Sequence, residues 1–155
     1  MSDTLWFDPS LCLIGGSWRP AASGETLPLF NPSDGGALAR IARGGQKDID
    51  AAVAAAQSAR DGDWARMSAL ERGRILTQIG QLVQDRIDDL ARLEAMDVGK
   101  PFSQARADAI ALARYMEFYG GAADKVHGDT IPYLDGYTVY TLREPHGVTG
   151  HIVPW

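Results

Sequence analysis

The chain has 155 residues, of which 45% are hydrophobic and 23% are charged, proportions that are ordinary for a globular protein and unlike a disordered tail. Its formal net charge is -5, and no lysine or arginine cluster alternates with aromatic residues, so nucleic acid is not an expected partner. No apolar run reaches the roughly 20 residues that span a bilayer, and the first residues lack a basic secretory start. We therefore expect a cytoplasmic protein with no membrane partner.

The single cysteine, Cys12, cannot form an intrachain disulfide. It lies in an apolar run over residues 11–14, next to Gly15 and Gly16, where a small buried hydrophobic side chain fits well. We therefore interpret Cys12 as a structural residue rather than as a catalytic thiol.

The N-terminal region carries two hairpin patterns. Residues 11–14 and 17–19 flank the Gly15-Gly16 dipeptide, which supplies the positive φ angles of a tight turn. Residues 27–30 and 37–42 flank Asn31-Pro32-Ser33-Asp34-Gly35-Gly36, a sequence rich in turn formers. These patterns predict two antiparallel hairpins.

Four stretches with helical spacing follow: 48–59, a helix that starts at Ser68, 85–98, and 103–123. Ser68 and Glu71 form a capping box, and Gly99 followed by Pro101 marks a helix end. Trp64, between the first two helices, is expected in the core. On the fourth helix we expect an apolar face made of Ala105, Ala109, Leu112, Met116 and Tyr119, and close packing at the two glycines Gly120 and Gly121. On the second helix we expect solvated arginines, namely Arg72, Arg74 and Arg86.

Glu94 and Asp97 are three residues apart and share one helix face. Paired carboxylates suit acid/base chemistry or a metal site, but they also suit capping and ion pairing near Lys100, and we favour the second interpretation. His127, His146 and His151 have no metal-ligand spacing, so we interpret them as surface or structural residues.

The C-terminal region predicts a strand over 136–143 and a buried strand over 148–153 that closes on Pro154-Trp155. Gly147 and Gly150 lack the third glycine of a dinucleotide fingerprint, so we interpret them as points of close backbone approach.

The run Arg143-Glu144-Pro145-His146-Gly147-Val148-Thr149-Gly150-His151-Ile152-Val153-Pro154-Trp155 resembles the "REPxGVxGxIxPWN" segment of the NAD(P)-dependent aldehyde dehydrogenase superfamily. Earlier stretches resemble that family's "GGxW", "NPxxG" and "ExxDxGKP" elements, in the same order. The resemblance implies the N-terminal part of an α/β fold. It divides the chain into part of the coenzyme-binding domain (1–136), an oligomerisation-arm strand (137–146) and the first strand of the dinucleotide-binding sheet (147–155).

The resemblance also implies an oxidoreductase that converts an aldehyde into a carboxylic acid with NAD or NADP. The nicotinamide side of the cofactor would lie against Ile152, Val153, Pro154 and Trp155. The catalytic thiol, the water-activating Glu, the cofactor-binding Lys and the oxyanion Asn would all follow Trp155, so no catalytic residue is expected in this chain.

A possible metal site is implied in the same way. In several members an Asp that matches Asp97 joins the backbone carbonyls that match Leu29 and Phe30 around a monovalent cation, K+ or Na+. Oxygen donors of this kind are those that hard cations accept.

Two functional hypotheses remain open. The chain is either part of an aldehyde-oxidising enzyme or a non-catalytic piece that associates with homologous subunits. Because the strand over 138–142 and the run 148–153 would lack neighbours, we expect a homo-oligomer or aggregation.

Overall fold

The structure is a computed structural model that describes residues 5–153. Within that range, two hairpins come first, four long helices and a one-turn helix follow, and a short third hairpin comes last. The strands are β1 (Cys12–Ile14), β2 (Ser17–Arg19), β3 (Thr26–Phe30), β4 (Ala37–Ala42), β5 (Thr130–Ile131) and β6 (Val139–Tyr140). The helices are α1 (Gln46–Asp61), α2 (Asp63–Arg66), α3 (Ala69–Gln84), α4 (Ile87–Val98) and α5 (Phe102–Ala122). None of the helices described in this range is long and apolar enough to cross a membrane.

Both N-terminal hairpins form as predicted. β1 pairs antiparallel with β2. The turn residues Gly15 and Gly16 have φ angles of +61° and +76°, which residues other than glycine rarely adopt. β3 pairs antiparallel with β4, and the register shifts between Leu29 and Phe30. The shift leaves Leu38 of β4 as an extra residue, which is the pattern of a β-bulge.

Helix α1 covers the predicted range 48–59 and extends it at both ends to Gln46–Asp61. The break after α1 is short, because the single turn of α2 begins at Asp63. Gly62 separates the two helices with a backbone that is neither helical nor extended.

Trp64 on α2 was predicted to be a core residue, and that prediction is wrong because its side chain is 44% exposed. Its ring lies 6.0 Å from the guanidinium carbon of Arg72, which is close enough for a cation–π contact. Arg72 was predicted to be solvated, but it is half-buried and donates hydrogen bonds to the backbone oxygens of Trp64 and Met67. Arg74 and Arg86 are exposed, as predicted.

Helix α3 begins with the predicted capping box. The Glu71 N–H donates to Ser68 Oγ at 3.2 Å, and the Ser68 N–H donates to a Glu71 carboxylate oxygen at 2.7 Å. The predicted end of α4 is also confirmed, since Gly99 has a φ of +71° and its N–H donates to the Ala95 oxygen.

Helices α3 and α5 approach each other closely through glycines. A Cβ atom on Gly73 would lie 2.3 Å from the backbone oxygen of Gly120, and one on Gly80 would lie 3.0 Å from that of Ala113. The predicted close packing at Gly120 is therefore confirmed. At Gly121 a Cβ would meet no other described atom within 4 Å, so the prediction fails there.

The buried side chains of the helical layer are small. The expected apolar face of α5 includes Leu112 and Tyr119, but these are 40% and 59% exposed. The predicted buried face is therefore wrong at these two residues. A close helix–helix approach admits only short side chains, so the larger side chains lie outside the contact. The buried residues of α4 and α5 are Ala91, Ala105, Ala109 and Ala113.

The strand predicted over 136–143 is shorter than expected, and it has a partner. Only Val139 and Tyr140 form β6, which pairs antiparallel with β5 so that Ile131 lies opposite Val139. The expectation that this strand lacks a neighbour is therefore wrong. β5 contains only two residues, which is too few for a recognisable alternating pattern.

Residues 147–153 form no strand in the structure, although a buried strand was expected over 148–153. Ile152 is fully exposed and Val153 is 71% exposed. A strand is held by hydrogen bonds to a neighbouring strand, and none of the strands described within residues 5–153 pairs with this segment. The division into 1–136, 137–146 and 147–155 stays a prediction.

Candidate functional site

A groove of about 660 Å³ lies between the N-terminal segment, the β3–β4 hairpin and helices α4 and α5. A concave, mostly apolar surface with a few polar groups is the usual form of a binding site in proteins. Its polar lining residues are all acidic, namely Asp89, Glu94, Asp97 and Asp108. Its apolar lining residues are Leu5, Phe7, Pro9, Leu11, Leu29, Leu38, Ala39, Ile41, Leu90, Leu93, Met96, Ala109 and Leu112.

Lys100 binds two of these four carboxylates. Its Nζ donates to the Glu94 carboxylate and, at 2.6 Å, to Oδ2 of Asp108. The hydrogen bond to Asp108, followed by the one to Glu94, raises the pKa of Lys100, which keeps the ammonium group charged. The predicted ion pairing of Glu94 with Lys100 is thereby confirmed, and it joins the end of α4 to α5.

The proposed cation ligands are only partly brought together. Asp97 and Leu29 line the same groove, whereas Phe30 does not line it and its side chain is 55% exposed. The expected ligands are backbone oxygens, however, and these lie along the strand whichever way a ring points. Within residues 5–153, no group of three His, Cys, Asp or Glu side chains is placed to hold a metal. A set of one carboxylate and carbonyl oxygens suits a hard cation, not a transition metal.

Asp48, at the start of α1, is a buried carboxylate whose role the sequence only partly indicates. It is 8% exposed, its Oδ1 accepts from the Ala22 N–H at 2.9 Å, and its Oδ2 accepts from the Gly45 N–H at 2.9 Å. The hydrogen bonds from Gly45 and then Ala22, with a smaller contribution from the charge of Arg19, lower the pKa of Asp48 against the effect of burial. The Gly45–Asp48 spacing is that of a helix start, but the contact with Ala22 has no sequence signal.

The segment expected to contact the cofactor has its described side chains in solvent. Ile152 and Val153 are exposed, and Pro154 and Trp155 lie outside the described residues. Gly147 has a φ of +88°, but a Cβ there would make only an ordinary contact, 3.4 Å from the Arg60 side chain, and a Cβ on Gly150 would meet nothing within 4 Å among the described residues. The predicted close backbone approach at these two glycines is therefore wrong.

Cys12 is half-buried in β1, where its backbone lies opposite Arg19 of β2. His127, His146 and His151 are all exposed, in agreement with their interpretation as surface residues. The ring nitrogen Nε2 of His151 lies 3.0 Å from Thr149 Oγ1, so this histidine makes a local contact within its own segment.

Comparison with known proteins assigns the family. Residues 18–155 match the aldehyde dehydrogenase family. The chain belongs to this family. Among curated relatives, aldehyde dehydrogenase family 2 member B4, mitochondrial, of Arabidopsis thaliana is 46% identical over 145 residues, which are 92% of this chain and 27% of that protein.

Solved aldehyde dehydrogenases share the conformation of this chain. A putative aldehyde dehydrogenase from Burkholderia cenocepacia is 57% identical with a TM-score of 0.83, over 86% of this chain and 28% of that chain. The NAD+ complex of aldehyde dehydrogenase from Bacillus cereus is 35% identical with a TM-score of 0.86, over 93% and 30% of the two chains. The chain thus spans less than a third of the length of the relatives that it matches, and its fold is the N-terminal part of the aldehyde dehydrogenase fold.

Proposed function

We propose that this chain is the N-terminal part of an enzyme that oxidises an aldehyde to a carboxylic acid with NAD or NADP. The observation that carries the proposal is the family match over residues 18–155, together with the likeness to a relative solved with NAD+. When bound, the nicotinamide cofactor accepts the hydride that the substrate loses.

The contribution of this chain is positioning and not the chemical step itself. By resemblance to the family, the attacking thiol, the Glu that activates water, the cofactor-binding Lys and the oxyanion Asn come from polypeptide outside these 155 residues. Cys12 is half-buried near the N-terminus in β1, within a hairpin, which suits a packing role.

The proposed cofactor contacts are Ile152, Val153, Pro154 and Trp155. The first two present exposed apolar side chains, which suits the apolar face of a nicotinamide ring. The support for this assignment is the resemblance of the segment to the family's cofactor-contacting run.

We further propose that Asp97 holds K+ or Na+ together with the backbone oxygens of Leu29 and Phe30. The support is the placement of Asp97 and Leu29 on one groove. A carboxylate that becomes buried must be compensated by a positive charge. In a full-length protein, Asp97→Ala should remove the extra thermal stability that K+ or Na+ gives over a bulky organic cation, and equal salt dependence in variant and parent would contradict this assignment.

The experiment that tests the catalytic proposal uses two proteins. One is the chain alone, and the other joins residues 1–155 to the part of the Burkholderia cenocepacia relative that lies beyond its matched region. With NAD+ and a panel of aldehydes, the joined protein should form NADH and the chain alone should not. Turnover by the chain alone that Cys12→Ala abolishes would contradict the assignment of the chemistry to other polypeptide.

The alternative function is that of a non-catalytic subunit that associates with homologous chains. One observation favours it: five large side chains around the β5–β6 hairpin are at least 60% exposed, namely Tyr133, Leu134, Tyr137, Tyr140 and Leu142. Exposed apolar clusters of this kind mark interaction surfaces. A homo-oligomer and a cytoplasmic location stay predictions, to be tested by light scattering and by imaging of a tagged chain.

A further inference from the structure

Gly99, which follows the last residue of α4, contacts the turn between β3 and β4. Its φ is +71°, and a Cβ atom on it would lie 3.0 Å from Pro32 Cγ and 3.8 Å from Ser33 Oγ. Non-bonded carbon atoms are normally about 3.5–4.0 Å apart, so a side chain here would push Pro32 away. The turn therefore rests against the end of α4 at a position that favours glycine.

This contact connects the two elements that carry the proposed cation ligands. Asp97 lies two positions before Gly99 on α4, and Phe30 lies two positions before Pro32 at the end of β3. Leu29, the other proposed ligand, lines the same groove as Asp97. A change in the contact between Gly99 and Pro32 would therefore alter the separation between the carboxylate and the two backbone oxygens.

The end of α4 is held in place from another side. Lys100, the residue after Gly99, binds Glu94 of α4 and Asp108 of α5. This pairing anchors the helix end to the neighbouring helix. If a side chain at Gly99 met Pro32, the turn would have to move and not the helix.

The turn is closed by backbone hydrogen bonds of Asn31. The Asn31 N–H donates to the Gly36 oxygen at 2.8 Å, and the Gly35 N–H donates to the Asn31 oxygen at 2.8 Å. Pro32 also has a fixed φ, because its ring includes its own backbone nitrogen. A displacement of Pro32 is therefore passed on to Phe30, the last residue of β3, and is not absorbed within the turn.

We propose that Gly99 is a positioning residue for the proposed cation site. Because Gly99 has no side chain, Pro32 rests on the end of α4, and this contact sets the distance between Asp97 and the backbone oxygens of Leu29 and Phe30. Oxygen ligands of a hard cation lie within a narrow range, about 2.3–2.6 Å for Ca²⁺, so a shift of about half an ångström weakens binding. This inference rests on the proposed cation site and names the residue that sets its geometry.

The first test measures ion binding by the joined protein. Its melting temperature is followed as K+ replaces a bulky organic cation at constant ionic strength, which gives an apparent dissociation constant for K+. Gly99→Ala should raise that constant by about fivefold or more. Gly24→Ala is the matched control, because Gly24 has a φ of +70° and a Cβ there would meet no described atom within 4 Å. It introduces similar backbone strain without the contact, so its dissociation constant should equal that of the parent.

A second variant tests the contact itself. Pro32→Ala removes the Cγ atom that a Cβ on Gly99 would meet, so Gly99→Ala should raise the constant by only about twofold or less in the Pro32→Ala background. The same rise in both backgrounds would overturn the proposal, because backbone strain alone would then explain it. If Gly99→Ala does not fold, Pro32→Ala by itself should raise the constant by about threefold, since the turn loses its support. An unchanged constant would then overturn the proposal.

The preference between ions gives a readout that a loss of stability alone would not change. Gly99→Ala moves the turn away from Asp97, so it should weaken the binding of Na+ more than that of the larger K+, because cation selectivity depends on cavity size. An equal loss for both ions would contradict a change in ligand distance.

The parent protein separates failure of this inference from failure of the cation site. A melting temperature that depends on neither K+ nor Na+ would overturn both. A parent that responds to K+, loses the response in Asp97→Ala and keeps it unchanged in Gly99→Ala would overturn this inference alone. NADH formation by the same proteins tests the proposed oxidation of aldehydes separately, because ion binding is measured by melting and not by turnover.

Discussion

The carboxylate of Asp48 accepts a hydrogen bond from the backbone N–H of Ala22, a residue 26 positions earlier in the chain. Its other oxygen accepts from the Gly45 N–H, which lies just before α1. One buried side chain therefore fixes the start of the first long helix to the loop that follows β2.

Replacing Asp48 should loosen this junction. Asp48→Asn keeps the size of the side chain, but the NH2 group of asparagine cannot accept a hydrogen bond. One of the two backbone N–H donors, that of Ala22 or that of Gly45, would therefore be left unpaired. We expect a lower melting temperature for Asp48→Asn. Asp50→Asn is the control, because Asp50 is exposed and only accepts a hydrogen bond from Gln46. Equal melting temperatures for the two variants would contradict a stabilising role for the Asp48 contacts.

The same contacts predict a dependence on pH. The folded-state pKa of Asp48 is lowered, so its contribution is complete above the unfolded-state pKa of about 3.9 and is lost as the pH falls through the lower folded-state value. Other carboxylates also titrate in this range, so the difference in melting temperature between parent and Asp48→Asn should be followed from about pH 6 downward. We expect the difference to shrink below about pH 4. A difference that stays constant in acid would show that charge has no part in the contact.

The glycine contact between α3 and α5 predicts opposite effects for two equivalent substitutions. Gly73→Ala would place a Cβ 2.3 Å from the Gly120 oxygen and should destabilise the fold by about 1–3 kcal/mol through overpacking. Gly121→Ala meets no described atom within 4 Å and should be neutral or stabilising by up to about 1 kcal/mol, because alanine favours helix. Urea unfolding of both variants measures the two effects. Similar free energies of unfolding would show that the helices are not in close contact.

The capping box at the start of α3 predicts a smaller effect. Ser68→Ala removes the oxygen that accepts from the Glu71 N–H and should lower the free energy of unfolding by about 1 kcal/mol. Ser68→Asp keeps an acceptor at the same position and should retain most of the stability. An unchanged midpoint of urea unfolding for Ser68→Ala would contradict the cap.

The C-terminal hairpin predicts self-association of the chain alone. Val139 is half-buried and lies opposite Ile131 within the hairpin, whereas Tyr140 is 60% exposed and is the better position for a test. Tyr140→Lys or Ile152→Lys should raise the monomer fraction measured by light scattering, because a charge opposes the pairing of apolar surfaces. A parent chain that is monomeric at all concentrations would contradict the expectation of oligomers.

Local signals account for the parts of the fold that the sequence predicted well. The Gly15-Gly16 turn, the capping box at Ser68 and the helix end at Gly99 each depend on residues within a few positions of one another. The α3–α5 contact was half predicted, because Gly120 stands in a visible pair while Gly73 is an isolated glycine in a helical pattern. Whether Gly73 marks a close helix contact depends on α5, which lies far along the chain.

In the candidate site, too, local contacts were predictable from the sequence and contacts between separate elements were not. The pairing of Glu94 with Lys100 was predictable because both residues stand near one helix end, but Asp108 joins them from the next helix. Helical spacing did not predict that Leu112 and Tyr119 stay exposed, because periodicity marks an apolar face without showing whether another element covers it.

We propose that this chain is part of an enzyme that oxidises aldehydes with a nicotinamide cofactor. The most direct measurement is the product balance of the joined protein with NAD+ and an aldehyde that it accepts, with NADH followed by absorbance and the organic product by chromatography. We expect one NADH and one carboxylic acid for each aldehyde consumed, and loss of both when the thiol of the joined part is replaced. Aldehyde consumption without NADH, or an alcohol in place of the acid, would contradict it.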